Sequence, residues 1–382
     1  MDFSLTEEQS AIYDMAKAFA EEHIAPHATE WDQQRHFPLD VIRRTAELGM
    51  AGIYVSEEHG GSGLSRLDAT LIFEALSLAC PATAAFLSIH NMVASMIDRF
   101  GGEEMRAEVM PALCTMQTVA SYCLTEPGSG SDAAALRTTA KRDGNHFVLN
   151  GTKAFISGGG ASDIYLVMAR SGDEGPKGIS AFLVPKDTPG LSFGANEKKM
   201  GWHVQPTAQV QFDECRIPAS NMVGEEGQGF SYAMAGLDGG RLNISACALG
   251  GAQAALQKAA AYLHERSAFG KPLAAMQALQ FRLADMEIEL QAARVFLRQA
   301  AFKLDSKAPD ATKHCAMAKR FVTDTAFKVA NEALQLHGGY GYLADYGIEK
   351  IVRDLRVHQI LEGTNEIMRL IVARHLLEEY RP

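Results

Sequence analysis

His146-Phe147-Val148-Leu149-Asn150-Gly151-Thr152-Lys153-Ala154-Phe155-Ile156 decides the fold. Apolar residues flank Asn150-Gly151 on both sides, which predicts a strand, a hairpin turn and a second strand. Asn-Gly supplies the positive φ values that such turns need. Ile164 to Ala169, Ile179 to Val184 and Ala208 to Phe212 are further short apolar runs between Gly, Pro and Asp turns. Together they predict a compact β unit, a small barrel or a two-sheet arrangement, beginning near Ala120.

Helical patterns lie on either side of it. Thr6 followed by Gln9 predicts a capping box, and Ile12, Met15, Ala16 and Phe19 then share one helix face. Pro38 opens a second helix that stops at Leu48-Gly49. Further helices are expected from about Leu67 to Ala79, Met92 to Phe100 and Glu103 to Leu113, with Gly60-Gly61-Ser62-Gly63 as a loop between them. After Gly227, Leu279, Leu283, Met286, Leu290, Ala293 and Leu297 step by four and three, the spacing of a bundle seam. Another helix runs from about Lys313 to Leu336 and ends at His337-Gly338-Gly339. The expectation is a mostly α chain with a β domain (α+β): an N-terminal helical domain over residues 1–118, a middle β-barrel-like domain over 119–226 and a C-terminal helical bundle over 227–382.

The bulk numbers narrow the function. With 382 residues, 47% apolar and 21% charged, the chain has room for a large core and no sign of long disorder. A net charge of −10 without a basic stretch excludes a nucleic-acid surface. The six cysteines are dispersed, with no CxxC, as in a reduced intracellular protein. Met1-Asp2-Phe3-Ser4 has neither a basic nor an apolar leader pattern, and no run is long and apolar enough to span a bilayer. A bacterial cytoplasmic location is expected, or the mitochondrial matrix for a mature eukaryotic form.

Two runs carry chemistry. Tyr122-Cys123-Leu124-Thr125-Glu126-Pro127-Gly128-Ser129-Gly130-Ser131-Asp132 is a short strand opening into a hydroxyl- and glycine-rich loop. A hydroxyl at a strand end can donate to a ring nitrogen, and successive loop N–H groups can hold a pyrophosphate. Its GxGxxA pattern is not a dinucleotide fingerprint, because Pro127 interrupts the entry and strands follow. The second run is His358-Gln359-Ile360-Leu361-Glu362-Gly363-Thr364-Asn365-Glu366. There a single carboxylate sits between an apolar side and a glycine, where burial raises its pKa towards that of a working base.

Other motifs have bland readings beside the functional one. His23 and His27 have metal-ligand spacing but no partner nearby, so no metal site is expected. His90 and His337 read as buried structural histidines that could also face a ligand. No GxSxG elbow accompanies Ser129, Ser131 or Ser157, which excludes a serine hydrolase. Arg266-Ser267-Ala268-Phe269-Gly270 is either a basic helix end or a phosphate or adenine contact. Gln335 to Gly339 carries more glycines than a helix cap requires.

Taken together, Tyr122 to Asp132, Phe155-Ile156-Ser157-Gly158, Arg266 to Gly270, Gln335 to Gly339 and Glu362-Gly363-Thr364 resemble the acyl-CoA dehydrogenase family over essentially the whole chain. That resemblance implies a C-terminal four-helix bundle, a homotetramer with one FAD per subunit, and electron-transferring flavoprotein as the acceptor. It implies Glu362 as the base that takes the α-proton of an acyl-CoA thioester while the β-carbon gives a hydride to flavin N5. Some members carry the base on another helix; that position here is Gly240, in Asp238-Gly239-Gly240-Arg241, and holds no carboxylate.

By the same resemblance Tyr122, Leu124, Thr125, Gly130 and Ser131 line the flavin and its pyrophosphate, and Phe155, Ile156 and Ser157 pack on its ring. Arg266, Gln277, Gln335, Leu336, His337, Gly338 and Gly339 reach the adenosine end, partly from a neighbouring subunit, and Thr364 and Glu366 also contact FAD. Ser131, Asp238, Arg241, Gly363 and Arg374 contact the CoA portion of the substrate. Leu361 stands where many straight-chain members have an aromatic residue, leaving room for a 2-methyl branch. Ser88 to Met92, Gly201-Trp202, Gln205-Pro206-Thr207 and His358 to Gly363 resemble the branch of the family that turns isobutyryl-CoA into methacrylyl-CoA in valine breakdown; Trp202-His203-Val204 departs from it. A short straight-chain or 2-methylbutyryl-CoA dehydrogenase, an acyl-CoA oxidase and a non-catalytic flavin scaffold are the alternatives.

Overall fold

The computed structural model describes residues 4–381. Met1, Asp2 and Phe3, on which the absence of a leader was read, lie outside them, as does Pro382.

Six helices come first: α1 (Glu7–His23), α2 (Ala28–Gln34), α3 (Leu39–Arg44), α4 (Arg66–Ser77), α5 (Pro81–Phe100) and α6 (Glu103–Cys114). The Gln9 N–H donates to Thr6 Oγ1 (3.1 Å) and the Thr6 N–H donates to the Gln9 side chain (3.2 Å), the reciprocal cap expected from the sequence. Ser65 and Asp68 cap α4 in the same way. A 3-10 turn prolongs α3 to Leu48, and Gly49 ends it at φ 71. The α5 helix starts at Pro81, well before the expected Met92. Its first half is built of small buried residues, Ala82, Ala84 and Ala85, which leave no amphipathic signature. Pro81 takes the first helical position, where its missing N–H costs nothing.

The β unit contains β1 (Ala120–Cys123), β2 (Thr139–Asp143), β3 (His146–Ser157), β4 (Ile164–Arg170), β5 (Ile179–Pro185), β6 (Leu191–Phe193), β7 (Thr207–Pro218) and β8 (Met222–Val223). They form one sheet in the order β6-β7-β3-β2-β4-β5-β8, with β1 parallel to β4. Phe147, Leu149, Tyr165, Phe182, Val210 and Phe212 build its core, and Phe147 meets Phe182 edge to face at 4.8 Å.

Asn150-Gly151, expected as a hairpin turn, lies inside β3. The register against β7 slips between Leu149 and Gly151, so the pair forms a bulge in a continuous strand. Gly151 has φ 145, and a β-carbon there would stand 2.7 Å from the Thr138 α-carbon. The hairpin is one step earlier, where Asp143 pairs with His146 and Gly144 takes φ 59 at the first turn position.

The chain then returns to helices: α7 (Gly229–Glu265), a small hairpin of β9 (Ser267–Ala268) and β10 (Lys271–Pro272), α8 (Gln277–Asp305), α9 (Ala311–Leu336), α10 (Ile348–Arg356) and α11 (Asn365–Glu379). The α9 helix packs on α7, α8, α10 and α11, and α7 also packs on α4 and α5. Met286, Leu290, Ala293 and Leu297 of the expected seam are buried; Leu279 and Leu283 pack at its margin. Among the described residues no helix is long and apolar enough to cross a membrane.

Candidate active site

One wall of the site is the end of β1 and the loop that follows. Glu126 and Ser129 exchange backbone hydrogen bonds (3.0 and 3.1 Å), closing a tight turn over Pro127-Gly128, and Ser129 Oγ donates to the Asp132 carbonyl (2.6 Å). Lys153, fully buried on β3, donates to the Leu124 carbonyl (3.1 Å) and to Glu126 Oε1 (2.7 Å). Glu126 also accepts the N–H groups of Arg137 (2.6 Å) and Thr138 (2.9 Å). Burial works against its ionisation, but the Lys153 charge and these hydrogen bonds outweigh it and hold the carboxyl below its usual range. The Ala154 N–H donates to the Thr125 carbonyl (2.8 Å). Loop and strand are thus locked together, and Phe155 projects beside them, 67% exposed with φ 59.

The opposite wall is the turn before α11. Glu362 (φ 55) and Gly363 (φ 85) are both left-handed. Arg241 Nε donates to the Glu362 carbonyl (3.3 Å), and Lys319 Nζ donates to the Gly363 carbonyl (2.8 Å). The Glu362 side chain reaches the cavity, but its Oε2 is shielded and has no hydrogen-bond partner among the described residues. Desolvation pushes its pKa up to about 7, against the lowering influence of Arg241 and Lys319. Gly240 abuts this carboxylate: a β-carbon there would stand 2.7 Å from Oε2.

A cavity of about 390 Å³ separates the two walls. From the β side it is lined by the expected Tyr122, Leu124, Thr125, Gly130, Ser131, Phe155, Ile156 and Ser157. From the helical side come Arg241, Leu361, Glu362, Gly363 and Arg374. Asp238 does not line it; its carboxylate accepts from Arg241 Nη1 (2.6 Å) and Thr312 Oγ1 (2.6 Å), so it steadies the arginine. Arg266 and Gln335, Leu336, His337, Gly338 and Gly339 gather instead around a second, separate cleft of about 500 Å³. There His337 stacks on Tyr262 at 4.5 Å, and the Arg266 guanidinium lies 5.5 Å from the Tyr340 ring. Gln277, exposed at the start of α8, lines neither cavity. Thr364 caps α11 by accepting the Ile367 N–H (3.3 Å), and Glu366 pairs with Arg369.

Comparison with known proteins decides the family. Three family models match in chain order: acyl-CoA dehydrogenase N-terminal domain over residues 6–117, middle domain over 121–215 and C-terminal domain over 227–377. The mitochondrial isobutyryl-CoA dehydrogenase of Bos taurus is 56% identical over 375 residues, 98% of this chain and 90% of that one. The chain belongs to the acyl-CoA dehydrogenase family. The structure of butyryl-CoA dehydrogenase from Megasphaera elsdenii superposes with a TM-score of 0.96 at 39% identity, covering 99% of this chain and all of that one. A structure of PigA with FAD and proline matches at 30% identity and a TM-score of 0.95, over 98% and 99% of the two chains.

This acyl-CoA dehydrogenase has further cavity residues that motif reading missed. Phe230, Met234, Leu237 and Ile244 line the cavity, together with the expected Arg241, from one face of α7. Their spacing of four, three, four and three was a legible signal. Ile89, Met92, Trp202, Ile367 and Ile371 add to the apolar lining; Trp202 is held at φ 55 by its N–H, which donates to Asp354 (2.6 Å). Lys319 gave no signal, because one lysine beside Arg320 reads as a solvated face. The set-aside histidines have structural surroundings. His27 stacks on Trp31, and His90 is fully buried between the Leu113 carbonyl and the Ala120 N–H, which drives its pKa down to about 4.

Proposed function

We propose that this oxidoreductase removes hydrogen across the α,β bond of a short branched acyl-CoA, isobutyryl-CoA first, giving methacrylyl-CoA, with Glu362 as the base. The observation that carries the reading is the Glu362 carboxyl: shielded, unpartnered at Oε2 among the described residues, poised at about 7 and facing a cavity with an apolar lining. An α-proton is a weak acid, and a base near neutrality that has already lost its water is matched to take it. Arg241 and Lys319 hold the two carbonyls of the turn and so fix where the carboxylate points. Phe230, Met234 and Leu237 exclude water from the acyl group. Ser131 and Arg374, both exposed, stand at the mouth, where the polar CoA portion would enter.

The residues present fit FAD. A β-carbon on Gly128 or Gly130 would meet no protein atom within 4 Å, so the loop leaves room for a group beside its backbone. The exposed Phe155 ring offers further unused surface, and the buried Tyr122 hydroxyl has no hydrogen-bond partner among the described residues. When bound, FAD supplies the acceptor for the β-hydride. Tyr122, Leu124, Thr125, Gly130, Ser131, Phe155, Ile156 and Ser157 would hold it, with Thr364 and Glu366 nearby. Arg266, Gln277 and Gln335 to Gly339 would serve the adenosine of a neighbouring subunit.

Electron-transferring flavoprotein is the acceptor, the assembly is a homotetramer, and the chain divides at 118/119 and 226/227. Exposed Phe281, Ile288, Val295 and Phe302 recur every seventh residue along α8, an apolar stripe suited to a second copy. A cytoplasmic or matrix location goes with that partner. Anaerobic titration of the yellow protein with C3 to C6 acyl-CoA esters tests the substrate. Isobutyryl-CoA should bleach the flavin with the highest kcat/KM; clear preference for butyryl-CoA or 2-methylbutyryl-CoA overturns it.

A further inference from the structure

We propose that Lys319 is a positioning residue for the reaction: its buried ammonium, anchored to the Gly363 carbonyl and the Asn365 side chain, fixes the left-handed turn that aims the Glu362 carboxylate into the cavity. The inference rests on the reading of Glu362 as base.

The turn needs an external hold. A non-glycine residue at φ 55 is strained, and such strain persists only where the surroundings over-determine it. Lys319 supplies the hold from α9, with no exposed surface, through bonds to Gly363 O (2.8 Å) and Asn365 Oδ1 (2.9 Å). Asn365 is itself fixed by donating to Thr323 Oγ1 (3.0 Å) and Asp324 Oδ1 (2.6 Å). Asp324 Oδ1 also accepts from Gln359 Nε2 (2.8 Å), on the other side of the turn. The network therefore brackets Leu361, Glu362 and Gly363 from both ends.

A buried ammonium costs desolvation, and a helix–helix contact alone would be met as well by an apolar side chain. Both acceptors of Lys319 are uncharged oxygens, so its charge is not neutralised in a direct ion pair. Glu362 is the carboxylate that acts on it most strongly, ahead of Asp324 on its own helix and Glu366 on α11; Arg241 on α7 and the buried His358 also face it. Desolvation brings the lysine down to about 7 even with Glu362, Asp324 and Glu366 raising it. Lys319 thus acts on Glu362 twice: through the backbone that orients it, and as a cation that favours its ionised form.

The test uses the FAD-loaded full chain carrying Lys319→Met, Asn365→Ala or Glu362→Gln. Readouts are kcat, KM, the pH profile and the infrared carboxyl signal of Glu362. Lys319→Met should keep flavin, leave KM within about three-fold, lower kcat by roughly 10- to 100-fold and move the Glu362 titration to higher pH. Asn365→Ala keeps the cation, so kcat should fall while the titration stays in place. A folded Lys319→Met protein with wild-type kcat and titration, beside an inactive Glu362→Gln, overturns the inference and leaves the base reading intact. Should Lys319→Met fail to fold, an unchanged kcat in Asn365→Ala overturns it. Normal turnover by Glu362→Gln removes the base reading itself.

Discussion

The Gly240 α-carbon faces the Glu362 carboxyl so closely that a methyl group on it would stand 2.7 Å from Oε2 and 3.1 Å from the carboxyl carbon. The two chain positions from which the family resemblance lets a base come therefore converge on one space. Glycine at 240 leaves that space to Glu362. In a helix interior, Gly to Ala normally stabilises by up to about 1 kcal/mol. Here the methyl must displace the carboxylate. Gly240→Ala is expected to keep FAD and its melting temperature but to lose roughly 10- to 100-fold in kcat, with KM little changed. Steady-state kinetics with isobutyryl-CoA check it; a wild-type kcat contradicts the geometry.

The elevated Glu362 pKa gives opposite signs for activity and stability. Only the ionised carboxylate accepts a proton, so kcat/KM should rise with pH through about 7. Between its ordinary value of 4.5 and about 7, the folded state holds a proton that the unfolded chain releases. The Glu362 contribution to stability therefore falls as pH rises through that window. Glu362→Gln should remove both effects: no turnover, and a melting temperature above wild type at pH 8 but not at pH 4. Thermal scans at the two pH values decide the point.

How much of this was legible follows from what each signal depends on. The capping box at Thr6, the α8 seam and the change from helix to strand rest on local periodicity, and they stand in the structure. The hairpin failed because Asn-Gly is permissive: the positive φ of Gly151 serves a bulge against β7 as well as a turn. The β-side wall and Glu362 were legible as motifs. The α7 stripe from Phe230 to Ile244 was legible as spacing but hidden inside a helix that is apolar nearly all round. Lys319 and the Lys153–Glu126 pair were not legible, since charged residues read as surface until tertiary contacts bury them.

That buried pair yields a stability prediction. Lys153→Met leaves Glu126 without its cation beside two backbone donors. Removing one partner of a buried pair costs about 3–5 kcal/mol. Because Lys153 also holds the Leu124 carbonyl, the variant should release FAD more readily. Adding Glu126→Gln to Lys153→Met should recover part of the loss. Denaturant midpoints and flavin retention on gel filtration measure both; equal midpoints for single and double variants refute the coupling. The lowered Glu126 pKa adds a second sign: its stabilisation holds above the unfolded carboxyl value and is lost as pH falls through the folded one.

Leu361 lines the cavity beside the base, and its shape bears on the acyl branch. Leu361→Tyr would place a flat ring across the space proposed for the 2-methyl group. One methyl group in an apolar pocket discriminates by about 10- to 200-fold. The variant should lose isobutyryl-CoA turnover within that range and keep butyryl-CoA turnover. The ratio of the two kcat/KM values is the measurement; an unchanged ratio means that selection lies elsewhere, with Met234 and Leu237 the next residues to vary.

The α8 stripe makes the assembly testable. Ile288 is 65% exposed and Val295 48%, between the outer phenylalanines Phe281 and Phe302 at 59% and 64%. Such a row facing water would favour aggregation, whereas a second copy would bury it. Ile288→Lys together with Val295→Lys should shift sedimentation from a tetramer to smaller species. These residues line neither cavity. If the adenosine end of FAD is held by a neighbour, as the separate cleft at Arg266 and Gln335 to Gly339 suggests, dissociation must also weaken FAD binding. A smaller species that keeps FAD at wild-type affinity would show that one chain completes the site alone.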